Sequence, residues 1–247
     1  MSKLQIKFIR GEEVKYVSHL DIMKVFERAA RRARLPLAYS RGYNPRPQIV
    51  FGLPLSVGVT SEAELAEFEI EGEMNPDLFC KLLNNQLPGG FRIVEAVEIE
   101  SKDNIMSRIK TASYVVLFLC REELEEVKNK VRSMMGRPEI IVEKFSKKGT
   151  KEVDIKPLIH KLEIAKYQSN AKDCSSNSWI REYVEKNIEG FINNTDFRKD
   201  DLYLMNMLVS AGNVSNLNPS LVIKALSELE GLPVLQVKIH RTGLYTT

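Results

Sequence analysis

Cysteine is scarce in this sequence. Its three cysteines, Cys80, Cys120 and Cys174, lie far apart and form no CxxC pair. That argues against a disulfide framework, a zinc site or an iron–sulfur cluster, and a reducing cytoplasm is the expected compartment. Histidine is equally sparse: His19, His160 and His240 stand apart without clustered Asp or Cys, so no metal and no cofactor is expected. Long apolar runs are missing too. Met1 to Lys7 has no apolar block of signal-peptide length, and the longest apolar stretch, Tyr114 to Cys120, suits one buried strand rather than a membrane span. No GxxxxGK[ST], GxGxxG or GxSxG occurs, which leaves nucleotide hydrolysis, dinucleotide binding and serine hydrolase chemistry without support.

What is there is globular. Of 247 residues, 43% are hydrophobic and 28% charged, and the length predicts two domains. The net charge of +3 hides a segregation. Lys24, Arg28, Arg31, Arg32, Arg34, Arg41 and Arg46 face a single acid, Glu27, between positions 24 and 46. From Gln48 to Cys80 there is no Lys or Arg, but Glu62, Glu64, Glu67, Glu69, Glu71, Glu73 and Asp77 are all acidic. Such sorting creates a local field that the average conceals.

Patterning gives the elements. Leu4, Ile6 and Phe8 alternate with polar residues as in a half-buried strand. Ser18 and Asp21 have capping-box spacing, and Ile22, Val25, Phe26, Ala29 and Ala33 form the apolar stripe of a helix that Pro36 ends. Gln48 to Phe51 reads as a short strand, and Glu64 to Glu71 as a longer one with Ala66, Phe68 and Ile70 inward and Glu67, Glu69 and Glu71 outward. A helix from Asn75-Pro76 and a strand from Phe91 to Ile99 complete β-α-β-β-α-β. The second half suggests the same order: a strand at Ser113–Cys120, a helix at Glu122–Met134, extended segments at Glu139–Phe145 and Glu152–Ile164, a strand at Asp201–Leu208, a helix from Asn218-Pro219 to Gly231, and alternation from Val234 to His240. Residues 75–83 and 218–226 share Asn, Pro, Leu, Lys and Leu in register. The expectation is an α+β protein of two tandem ferredoxin-like domains, 1–108 and 109–247. The polar run Ser169 to Ser178 and a helix around Trp179 to Ile192 read as an insertion at about 167–199.

The stretches Tyr16-Val17-Ser18-His19-Leu20-Asp21 and Leu35 to Pro47, continuing through Pro54 to Glu62, resemble an uncharacterised family linked to radical-SAM proteins. Its members are fused behind B12-binding-type radical-SAM enzymes or encoded beside them. Weaker echoes fall at Val153 to Pro157, Asn216 to Pro219 and His240 to Leu244. The resemblance implies an accessory role beside a radical-SAM partner, and the family's usual setting near RNA-processing and ribosomal genes points toward RNA. The chain has no CxxxCxxC motif with which to hold the radical-SAM cluster itself.

The residues suggest where RNA would bind. Lys24, Arg28 and Arg31 fall on one helical stripe opposite the apolar face and, with Arg32, Arg41 and Arg46, can track phosphates. Tyr39 and Tyr43 can stack on splayed bases. Gly42 permits a positive φ and Asn44 before Pro45 is held extended, so the loop is stiff before anything binds. The alternatives are a solvated helix face with loop arginines paired to Glu62–Glu73, or an acidic protein partner. His19, at the helix start, is a candidate acid–base for a metal-free ribonuclease, or a structural residue fixing the Asn44-Pro45 loop. His160 and His240 read as packing or surface residues. The expected function is an RNA-binding adaptor; cleavage through His19 and a purely protein-binding module are the alternatives.

Overall fold

The computed structural model describes residues 2–146, 149–167, 178–193 and 195–246. In order these are β1 (Ser2–Arg10), α1 (His19–Arg32), β2 (Ile49–Phe51), β3 (Thr60–Ile70), α2 (Pro76–Asn84), β4 (Phe91–Glu98), α3 (Ile105–Arg108), β5 (Thr111–Leu119) and α4 (Leu124–Gly136). There follow β6 (Ile141–Ser146), β7 (Gly149–Asp154), β8 (Ile159–Lys166), α5 (Ser178–Ile192), β9 (Leu202–Ser210), α6 (Pro219–Glu230) and β10 (Leu235–Tyr245). The fold is mixed α+β. It divides into two compact units, one of Met1–Ser113, Ala211–Ser215 and His240–Thr247, the other of Tyr114–Ser210 and Asn216–Ile239. A linear cut near residue 108 would leave 240–247 with the second unit. They join the first because His240 and Arg241 pair in parallel with Thr60 and Ser61 of β3.

In the first unit β1 lies between β3 and β4, antiparallel to both. On the other edge of β3 lies β2, antiparallel from Ile49↔Phe68 to Phe51↔Ala66. The strand order is β4-β1-β3-β2, with β10 also against β3. Alternation puts Leu4, Ile6 and Phe8 of β1 and Ala66, Phe68 and Ile70 of β3 on one face, where α1 and α2 cover them. Ser18 caps α1, its Oγ accepting from Asp21 N at 3.3 Å, and Ile22, Phe26, Ala29 and Ala30 are buried. Phe26 sits at the centre of this core, its ring 4.8 Å from Phe8, 5.3 Å from Phe51 and 5.6 Å from Phe91. The helix stops at Arg32, and Arg34 takes a left-handed φ of 54° ahead of Pro36. Chain reversal thus precedes the proline that was expected to impose it.

Glu67 departs from its predicted outward position: it is 2% exposed. The face it occupies is covered by α3, an element without a sequence signature, whose Arg108 bonds both Glu67 and Gln5. Lys3 Nζ stands 3.9 Å from the same carboxylate.

The second unit has the order β10-β5-β9-β8. Val115, Leu117 and Leu119 of β5, Leu202 and Leu204 of β9, and Val184 of α5 form one of its cores. Asn218 caps α6, with Pro219 in the first turn and Gly231 closing it at φ 62°. The stretch Glu152–Ile164 is not one extended segment. A 3-10 turn over Lys156–Leu158, holding Pro157, splits it into β7, which pairs only with β6 as a separate hairpin, and β8, which pairs with β9. The helix of the insertion is α5; the polar run at 169–177 lies outside the described residues.

Candidate nucleic-acid interface

The buried stripe of α1 fixes what its outer side presents. Lys24, Arg28 and Arg31 are exposed there. Lys24 Nζ lies 3.3 Å from Asp21, an exposed pair of little strength, whereas Arg28 and Arg31 have no acidic partner among the described residues. Arg32 is committed elsewhere. Its Nη2 donates to Gln86 O at 2.6 Å and its Nε to Gln86 Oε1 at 3.3 Å, tying the end of α1 to the turn after α2.

The loop between α1 and β2 leaves the sheet through a narrow neck. Leu37 bridges Ile70, and Ala38 N donates to Glu69 O at 2.8 Å, so the chain enters along the edge of β3. Tyr39 then bridges Pro47, Ser40 N donates to Arg46 O at 2.8 Å, and Arg46 N donates back to Ser40 Oγ at 3.0 Å. Residues 41–45 project beyond that closure. Gly42 supplies the turn with φ of 140°, and Asn44 and Pro45 complete it. Tyr43 is fully exposed at 103%, Tyr39 is 43% exposed, and Arg41 and Arg46 stand in solvent.

These arginines do not pair with the acidic segment. Glu62 faces His240, Glu64 binds Arg241 and Glu67 binds Arg108 and Lys3. Glu64 and Glu67 are thus engaged by other cations, while Glu69 and Glu71 flank the neck of the loop, where Glu69 O accepts from Ala38 N and Glu71 N donates to Pro36 O. No bond joins the α1 residues to the loop residues among those described; each set is presented by its own element.

Beneath the start of α1 lies a buried charge cluster. Arg10 and Arg241 are both 1% exposed. Arg10 donates to four main-chain carbonyls, those of Val14, Lys15, Val17 and Leu55, at 2.7 to 3.4 Å. Arg241 Nη1 donates to Leu53 O at 3.1 Å and Glu64 Oε1 at 2.8 Å. Burial lowers the pKa of Arg10, Glu64 raises it and Arg241 lowers it again. Together the two guanidinium groups pin the segment before β3 and the turn that leads into α1.

His19 is half-buried against this cluster. Its ring meets Phe51 edge-on at 6.0 Å and, with Arg10, Phe51 and Glu64, it lines a cavity of about 10 Å³, room for a water at most. Desolvation lowers its pKa, opposed by Glu64 and aided by Arg10, so the ring is neutral near pH 7. It packs on Phe51 of β2. His160 is exposed and bonds Ser210 Oγ at 2.9 Å, while His240 is buried with Nδ1 2.8 Å from Thr60 Oγ1. Among the described residues no three His, Cys, Asp or Glu side chains are grouped to hold a metal ion, and no helix is long and apolar enough to cross a membrane.

Residue type and charge runs direct attention to α1 and the loop, not to Arg10, Glu64 and Arg241. A signal for two of them exists. Arg10 continues the inward parity of Leu4, Ile6 and Phe8, and Glu64 that of Ala66, Phe68 and Ile70, while the register sets Phe8 opposite Glu64.

The fold and this surface define a mixed α+β protein that carries a basic–aromatic loop closed at its neck, a basic helix, and a buried arginine–glutamate pair. Residues 3–219 match the model of a family described as an uncharacterized protein conserved in bacteria (DUF2344), and the chain belongs to that family. No curated protein matches the chain.

Proposed function

We propose that the protein is an RNA-binding adaptor that takes RNA on α1 and the 39–47 loop and presents it to a radical-SAM enzyme in the cytoplasm. One observation carries the reading: Arg28, Arg31, Arg41 and Arg46 are exposed with no acidic partner among the described residues, and the loop that carries Arg41 and Arg46 holds a fully exposed Tyr43. Cations free of partners can neutralise phosphates and release counterions, and an exposed ring can stack on a base. The radical-SAM partner rests on the sequence resemblance. Both units are taken as ferredoxin-like variants, supported by the strand orders β4-β1-β3-β2 and β10-β5-β9-β8, with β6, β7 and α5 as additions to the second. Cleavage through His19 is the weaker reading, because the cavity it lines cannot admit a nucleotide.

The test is binding of the purified protein to total cellular RNA across a salt series. Arg28→Glu/Arg31→Glu should weaken binding and flatten the log–log salt slope by about 1.4, two phosphate contacts on a single strand. Unchanged affinity in that variant overturns the proposal. A partner complex that survives nuclease treatment, with no RNA bound, assigns the surface to a protein.

A further inference from the structure

The β6–β7 hairpin has an unusual register. Lys144 lies directly opposite Lys151, and the next pair inward sets Glu143 opposite Glu152. Like charges directly opposite each other destabilise a ribbon, and opposite charges there stabilise it. Two successive like-charged pairs are the reverse of what ribbon stability favours. Because neighbouring residues point to opposite faces, the charges are sorted, lysines on one face and glutamates on the other. Val142 and Val153 share the lysine face nearer the base; Val142 is buried, and beyond them Lys144 and Lys151 are exposed with no ion pair among the described residues.

The ribbon is held firmly at its base. Ile155 N donates to Ile140 O and Ile140 N to Asp154 Oδ1, both at 2.9 Å. Lys224 of α6 donates to Glu143 O at 2.9 Å and sits 5.0 Å over the ring of Phe145, which is nevertheless 73% exposed. A paired cationic site on one face and, on the opposite face, an exposed aromatic ring beneath Lys224 are thus carried at one end of an anchored two-stranded ribbon, an element narrow enough to lie along a nucleic-acid backbone.

We infer that the outer end of the β6–β7 ribbon is a second RNA-contacting element, with Lys144 and Lys151 gripping a phosphate on one face and Phe145, with Lys224 over its ring, available to an unpaired base that reaches round the ribbon's edge. This rests on the reading that the protein binds RNA, and it gives the second unit a contact of its own. The like-charged lysine pair is then resolved by the ligand: an anion placed between two ammonium groups removes the repulsion that the free protein carries.

Lys151→Glu separates this role from a structural one, since it sets Glu opposite Lys144 and supplies the cross-strand ion pair that the register lacks. In the full chain, with total cellular RNA as the probe, the variant should unfold at the same or a higher urea concentration. It should nevertheless bind severalfold more weakly, with a salt slope flatter by about 0.7–1. Phe145→Ala should weaken binding without changing that slope. If Lys151→Glu binds RNA as tightly as the parent while Arg28→Glu/Arg31→Glu does not, the ribbon has no RNA role and this inference alone falls. If the parent protein binds no RNA at any salt, both readings fall together.

Discussion

Arg10 and His19 show how a few side chains set conditions at the start of α1. A buried guanidinium is tolerated when its donors are met, and Arg10 meets four carbonyls while Glu64 partners its neighbour Arg241. His19 lies beside them and titrates below its ordinary 6.5, burial being the main cause. Between 6.5 and its folded value the unfolded chain binds more protons than the native one, so stability falls as pH drops through that window. The thermal midpoint should therefore decline from pH 7.5 to pH 5, and the decline should be shallower in His19→Gln. Scanning calorimetry of the two proteins across that range checks this; parallel slopes would assign the titration to another group. The inward parity of Arg10 and Glu64 was legible in the alternation of their strands. That Arg241 would meet them was not, because no local pattern records a contact 177 residues away.

At the scale of elements, local chemistry was readable wherever it is self-contained. Asn75 Oδ1 accepts from Leu78 N at 3.0 Å and Asn218 Oδ1 from Ser220 N at 3.1 Å, the two Asn-Pro starts visible in the sequence. Asn84 does a different task. At the last turn of α2 it donates to Ile93 O at 2.9 Å and accepts from Ile93 N at 2.8 Å, satisfying both main-chain groups of one β4 residue beside a bulge in the β1–β4 ladder. Loss of a cap costs about 1 kcal/mol, whereas orphaning two partly buried main-chain groups costs about 2 kcal/mol or more. Asn84→Ala should accordingly destabilise the protein more than Asn75→Ala, as read by urea unfolding; the reverse order would mean that Ile93 finds solvent instead. The elements that escaped the sequence reading have no such local mark. α3 is four residues long, and the division between β7 and β8 depends on which strand each finds as partner.

The whole molecule is organised by a chain that returns. Residues 240–247 belong to the first unit, where Arg241 neutralises Glu64 and β10 pairs in parallel with the start of β3. Removing one partner of a buried pair leaves an uncompensated charge, at a cost of about 3–5 kcal/mol. Arg241→Met should then lower hydrogen-exchange protection in β1 and β3, far back in the sequence. Loss of protection confined to β10 would show that the pair contributes little to the first unit. The same return has a consequence in time. On the ribosome Glu64 emerges 177 residues ahead of Arg241, and through that interval its inward carboxylate has His19 beside it and Arg10, whose donors go to main-chain carbonyls. A chain halted short of codon 241 would carry its basic helix over a Glu64 carboxylate that still lacks Arg241.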